Sequence, residues 1–170
     1  MMTTILAMET APANYFALSQ FLYREAALLD ARDWDSWNKL FAPDGTYWVP
    51  ATRGQIDPLD HVSLINDDAM LREIRLRRLK NGDAASMQAH SASSHLVSNI
   101  VVAAADEPRG SYTLHSRFVV AQYASWGTST FHGSYLHELV RNADGELKIA
   151  LKRVDLVDVD GPLGDILTIL

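Results

Sequence analysis

Residues 33–50, DWDSWNKLFAPDGTYWVP, hold three of the four tryptophans of this 170-residue chain: Trp34, Trp37 and Trp48. The stretch changes period halfway. Behind Asp33, a residue suited to capping a helix, Trp34, Trp37, Leu40 and Phe41 recur at helical spacing. Pro43-Asp44-Gly45 then reads as a stop, and Thr46 to Pro50 is rich in aromatic and β-branched residues, as strands are. Two tryptophans on one stripe of a short helix, with a third opening the next strand, read as a packed corner between helices and sheet. An aromatic ligand-binding wall is not needed to explain them.

Upstream of that corner, Leu18, Phe21, Leu22, Ala26 and Leu29 make one apolar stripe, and Pro12 suits a first helical turn. Downstream, an irregular stretch with Pro58 leads to a third helix starting near Asn66 to Asp68. Its acids (Asp67, Asp68, Glu73) lie early and its bases (Arg75, Arg77, Arg78, Lys80) late, which complements the helix dipole; Asn81-Gly82 is a plausible stop. From there the chain reads as long strands over 94–106, 111–126, 129–141 and 146–159, parted by Pro108 to Gly110, Gly127 and Asp144-Gly145. In the last strand the apolar phase runs through Leu147, Ile149 and Leu151, then shifts to Val154 and Leu156. Such a shift flips faces and predicts a β-bulge near Lys152 and Arg153. Helices first, then one long bent sheet, give an α+β fold: N-terminal helices packed on a strongly curved, mostly antiparallel sheet that forms a cone. The expectation is one domain over residues 1–170, with 1–12 as a flexible arm and 161–170, GPLGDILTIL, as an apolar tail buried against the domain or a neighbour.

A net charge of −6 favours neither nucleic acid nor an anionic membrane as partner. With no cysteine there are no disulfides and no thiolate ligands. The start carries no basic, then apolar, secretory signal, and no apolar run approaches a membrane span. These points suggest a cytoplasmic location.

Chemistry is sparse. The six histidines (His61, His90, His95, His115, His132, His137) form no HExxH or HxH pattern. His132 and His137 should point to opposite faces of one strand, whereas His95 and His115 sit on neighbouring strands and are able to meet. Phosphate-loop, nucleophile-elbow and dinucleotide patterns are missing, and Gly127 and Gly133 read as a turn and a strand kink. The basic stretch LREIRLRRLK, Leu71 to Lys80, reads as a solvated or subunit-contacting helix face. One constellation remains: Asp30 at the end of the first helix and His95 on a strand inside the cone. An aspartate that fixes a histidine tautomer can make it a general base; the same pair can also simply fasten helix to sheet.

The ordered segments 23–51 (with TYWVPA), 57–79 (with SLINDD and a basic helix), 94–102 (with HLVSN) and 133–160 (ending in GELKIALKRVDLVD) resemble the small, beta subunits of Rieske-type aromatic-ring-hydroxylating dioxygenases. The likeness runs from about Phe16 to the end. It implies the cone fold of the nuclear-transport-factor and scytalone-dehydratase type, shared with ketosteroid isomerases and polyketide cyclases. It implies a homotrimer within a hexamer of three large (alpha) and three small chains. The Rieske [2Fe-2S] cluster and mononuclear iron would sit in the alpha subunit, with no cofactor, metal or catalytic residue in this chain. Against the dehydratases, Asp30 and His95 match the catalytic aspartate and first histidine. Leu29 replaces a tyrosine, no histidine falls near Val120 and Ala121, and Tyr135 falls where an asparagine is expected. That pattern implies a pair kept for structure. The alternative is a free-standing dehydratase, isomerase, cyclase or small-molecule binder using Asp30 and His95, with Tyr23 or Tyr47 as proton donor.

Overall fold

A computed structural model describes residues 14–80 and 91–170. Its elements are α1 (Tyr15–Asp30), α2 (Trp34–Asn38), β1 (Phe41–Pro50), β2 (Ser63–Asp67), α3 (Ala69–Lys80), β3 (Ala92–Asp106), β4 (Ser111–Ala124), β5 (Gly127–Arg141) and β6 (Leu147–Leu156). The strands form one sheet in the order β2-β1-β6-β5-β4-β3, antiparallel throughout except where β1 runs parallel to β6. The expected arm 1–12 with Pro12, the Asn81-Gly82 stop and His90 lie outside the described residues.

The expected stripe of α1 is buried, with Leu18, Leu22 and Leu29 against the inward face of the sheet. That face alternates as a half-buried sheet should, presenting Tyr112, Leu114, Phe118 and Val120 from β4 and Phe131, Tyr135 and Leu139 from β5. Each such side chain removed from water contributes roughly 1.5–3 kcal/mol. Asp33 caps α2 by accepting from the Ser36 N–H at 3.1 Å. All three corner tryptophans are buried within the chain, so no part of them is left for a neighbour. Trp37 packs edge-on to both Phe41 and Tyr47.

Several expectations fail for identifiable reasons. Pro43-Asp44-Gly45 does not stop the chain. It is an excursion within β1, exposed at Pro43 and Asp44: Phe41 pairs with Ile149 and Thr46 with Leu151, so five residues of β1 advance only two along β6. Gly45 is needed there because a Cβ would stand 2.3 Å from the Ile149 carbonyl oxygen. The irregular stretch conceals β2, which pairs Asn66 with Trp48; Asp67 ends this strand, and Asp68 caps α3 through the Leu71 N–H. The bulge in β6 falls before Lys152. Glu138 faces Leu151 while Leu139 faces Ile149, leaving Ala150 unpaired. Leu151 therefore leaves the face of Ile149, and Lys152 turns inward. Gly133 is a close-approach position, where a Cβ would meet the Asp155 carbonyl oxygen at 2.0 Å.

The basic helix is only partly solvated. Arg72 is buried, donates to Asn38 Oδ1 and the Gly45 carbonyl (both 2.7 Å), and stacks over Phe41. Arg75 pairs with Asp67, Arg77 with Glu73 and Lys80 with Asp35. Arg72 and Arg75 thus lock α3 to the first two strands and leave Arg78 on the outer face.

Candidate functional site

Asp30 is the last residue of α1. The helix stops where Arg32 takes a left-handed conformation (φ 56°), and that turn aims the Asp30 carboxylate at β3. Both carboxylate oxygens accept the His95 backbone N–H at 3.0 Å, and Oδ1 lies 2.6 Å from His95 Nδ1. The expected pair therefore forms. Its other side is also occupied: His95 Nε2 lies 2.9 Å from the Ile169 carbonyl oxygen. Both ring nitrogens face oxygen acceptors within the chain, so neither is open to a substrate.

The segment that supplies Ile169 is the apolar tail. Its end is buried against its own chain, with Ile169 and Leu170 at 1% and 0% exposure. Gln122 holds it by donating to the Asp165 carbonyl at 2.9 Å and accepting the Leu167 N–H at 2.7 Å. The Leu170 N–H donates to the Tyr47 hydroxyl at 3.2 Å. Tyr47 is thus inside the cone but engaged, and burial pushes its hydroxyl far above the ordinary tyrosine range. Tyr23 is 45% exposed on the outer side of α1 and does not join the others. His115 does not meet His95: it faces Val101 across the ladder, on the opposite side of the sheet from His95, which pairs with Val120. His137 is buried and His132 exposed, as their spacing requires.

Deeper in the cone lies a cluster that sequence reading missed. Glu25, on the buried stripe of α1, accepts from Trp37 Nε1 at 3.0 Å and Lys152 Nζ at 2.8 Å through Oε1; Oε2 lies 2.9 Å from His137 Nε2. Glu25, His137 and Lys152 are all buried. Burial by itself would raise the Glu25 pKa. The Lys152 cation and His137 outweigh it and hold the carboxyl well below the usual range. Burial lowers the Lys152 pKa, opposed by Glu25. Lys152 also sits over the Tyr135 ring, 4.7 Å from its centroid. The available signal was a glutamate, a histidine and a lysine each at an inward position of an otherwise apolar pattern: Leu22-Glu25-Leu29, Tyr135-His137-Leu139 and Lys152-Val154-Leu156.

The two groups share a space of about 200 Å³, lined by Leu22, Glu25, Leu29, His95, Tyr135 and Lys152 among others, with no room for a water molecule. The cone is filled. A cleft of about 880 Å³ lies outside between α1, α2 and the β5–β6 turn; Arg24, Lys39, Arg141, Glu146 and Lys148 line it, and none of the interior groups reaches it. Among the described residues there is no cluster of three histidines or carboxylates. Nor is any helix there long and apolar enough to cross a membrane.

Residues 24–159 match the model of a family described as "Ring hydroxylating beta subunit". The beta subunit of toluate 1,2-dioxygenase from Pseudomonas putida is 38% identical over 94 residues, 51% of this chain and 57% of that one. The chain spans 57%, 61% and 64% of the length of three such curated relatives. Among solved structures, the beta subunit of benzoate 1,2-dioxygenase from Burkholderia mallei matches 94% of this chain and 99% of its own, with 26% identity and a TM-score of 0.72. A scytalone-dehydratase-like protein from Novosphingobium aromaticivorans has the same fold at 15% identity, covering 84% of this chain and 83% of its own with a TM-score of 0.62.

Proposed function

The chain belongs to the ring-hydroxylating dioxygenase beta-subunit family, and from that premise we propose that it is a non-catalytic scaffold subunit in bacterial aromatic-compound breakdown. It assembles as a trimer and holds three large oxygenase subunits in a hexamer in the cytoplasm. The observation that carries this reading is the blocked His95 ring. At the rim of the cone, His95, held by Asp30 as a general base would be, has its second nitrogen against the Ile169 carbonyl, and the buried end of the tail covers it. Asp30 and His95 fasten α1 to β3; Tyr47 anchors the tail; Tyr23 has no part. This disfavours a free-standing dehydratase, isomerase or cyclase.

The redox groups belong to the large subunit. This chain's residues do not fit them: it has no cysteine to supply the thiolate side of a Rieske cluster. Its described histidines are scattered over a loop, the cone interior and the outer sheet face. What the chain does offer is surface for association. Ile56, Leu59 and Val62, between β1 and β2, are each at least 80% exposed, and Met70 on α3 is 65% exposed. Such apolar exposure is costly in water and suits an interface.

Native mass by light scattering tests the proposal, on the chain alone and co-expressed with the large oxygenase subunit. A trimer alone, and a hexamer whose iron is confined to the large chain, are the expected results. A monomer or dimer that ignores the large chain would overturn it.

A further inference from the structure

Residues 161–170 carry no regular secondary structure, yet the end of the segment is as buried as the strands. Its backbone is held almost entirely by side chains of the cone. Gln122 grips Asp165 and Leu167, His95 meets Ile169, and the Tyr47 hydroxyl takes the Leu170 N–H. Side chains that grip another segment's main chain, with aliphatic residues sunk between them, are how a protein holds a short peptide. The connection back to β6 is a turn, 157–161, exposed except for half-buried Val159 and held at its edge by Arg53, which bonds the Val157 carbonyl and Asp160; Gly164, around which a Cβ would meet nothing, follows it. It has the character of a tether.

We propose that the cone is a binding site which residues 165–170 occupy as a tethered ligand. Once opened, it takes a free aliphatic molecule carrying a carbonyl acceptor for His95 and an amide N–H for Tyr47, as a short aliphatic peptide or acyl amide does. A second observation points the same way. Beyond the tail, the Tyr135 hydroxyl and His137 Nδ1 are buried with no hydrogen-bond partner among the described residues. Both residues line the same internal space as His95. The free His137 nitrogen and the Tyr135 hydroxyl are each able to hydrogen-bond. The inference holds for the chain whether or not its scaffold role does.

A tether keeps its ligand at an effective concentration on the order of 1 mM, so a free peptide with a Kd of about 10 µM for the open cone binds the intact chain roughly 100-fold more weakly. The test uses the full chain with a protease site placed between Gly161 and Gly164, cut after folding and dialysed. The probe is a labelled peptide of residues 165–170, Asp-Ile-Leu-Thr-Ile-Leu. The cut chain should bind it, the uncut chain about 100-fold more weakly, and N-acetyl-leucine amide should compete. Gln122→Ala in the cut chain should weaken binding by about tenfold, the loss of two hydrogen bonds. A cut chain that keeps its near-UV circular dichroism but takes up no peptide overturns the proposal. Should cutting unfold the chain, amide exchange on the intact protein decides. Leu167 and Leu170 amides exchanging roughly 100-fold faster than Val120 show the tail leaving as a unit; equal protection overturns the idea.

Discussion

Two acid–histidine groups share the cone, five residues apart on α1, and they are held in different ways. Asp30–His95 sits at the rim: the carboxylate is 31% exposed, and the histidine is completed by a backbone carbonyl from the tail. Glu25–His137–Lys152 sits in the interior, with every member 4% exposed or less and its charge balanced by a lysine that a β-bulge turns inward. The rim pair is satisfied only because a distant segment returns to it. The interior cluster is satisfied by α1, α2 and the sheet alone, apart from one nitrogen of His137. The pair with the more familiar catalytic chemistry is therefore the less isolated from solvent and the more dependent on the tail. The unfamiliar cluster is the one built into the fold.

Removing one member of the interior cluster should be the most damaging change in this comparison. Lys152→Met leaves the Glu25 carboxylate buried without its cation and should cost about 3–5 kcal/mol. At roughly 2–4 °C per kcal/mol for a domain of this size, thermal melting should fall by about 6–20 °C. The double variant Glu25→Leu/Lys152→Met should melt above the single one; a double variant no better than the single would show that the two are not coupled.

Acid should separate the two groups next. The folded-state pKa of Glu25 lies below that of an unfolded glutamate. Its ionised form therefore stabilises the fold above about pH 4, and that contribution is lost as pH falls toward the folded-state value. Melting temperature should decline steadily below about pH 4, and Glu25→Gln should flatten that decline. An unchanged acid profile in Glu25→Gln would remove the cluster from the account.

At the rim the effect should be smaller. His95→Ala strips the Asp30 carboxylate of one partner and the tail of another, at about 1–3 kcal/mol by chemical denaturation. Its amide exchange at Leu167 and Leu170 should rise with it, whereas Lys152→Met should raise exchange throughout the strands. Tyr23→Phe is the lower bound: exposed and outside both groups, it should stay within about 0.5 kcal/mol of the parent chain.

Much of this was legible in the sequence because it is periodic and local. The α1 stripe, the Asp33 cap and the inward face of β4 and β5 depend on spacings of 3.6 and 2, which neighbouring residues carry among themselves. So do the opposite faces of His132 and His137. Even the Asp30–His95 pair followed from placing a helix end against a strand. Where register between distant strands decided the outcome, local spacing misled. Nothing near Pro43-Asp44-Gly45 announces that β6 runs alongside and turns a stop into an excursion. Nothing near Lys152 announces that Ala150 drops out of the ladder and sends a lysine to Glu25, 127 residues away in the chain. His95 looked like an available base until the tail, 74 residues on, covered its second nitrogen. The sequence by itself determined the elements, the faces they bury and the family to which the whole is similar, because propensity and periodicity act over a few residues. Only tertiary structure decided which polar groups the cone encloses and that the cone is full, because burial and hydrogen-bond satisfaction depend on segments that meet only when the chain is folded.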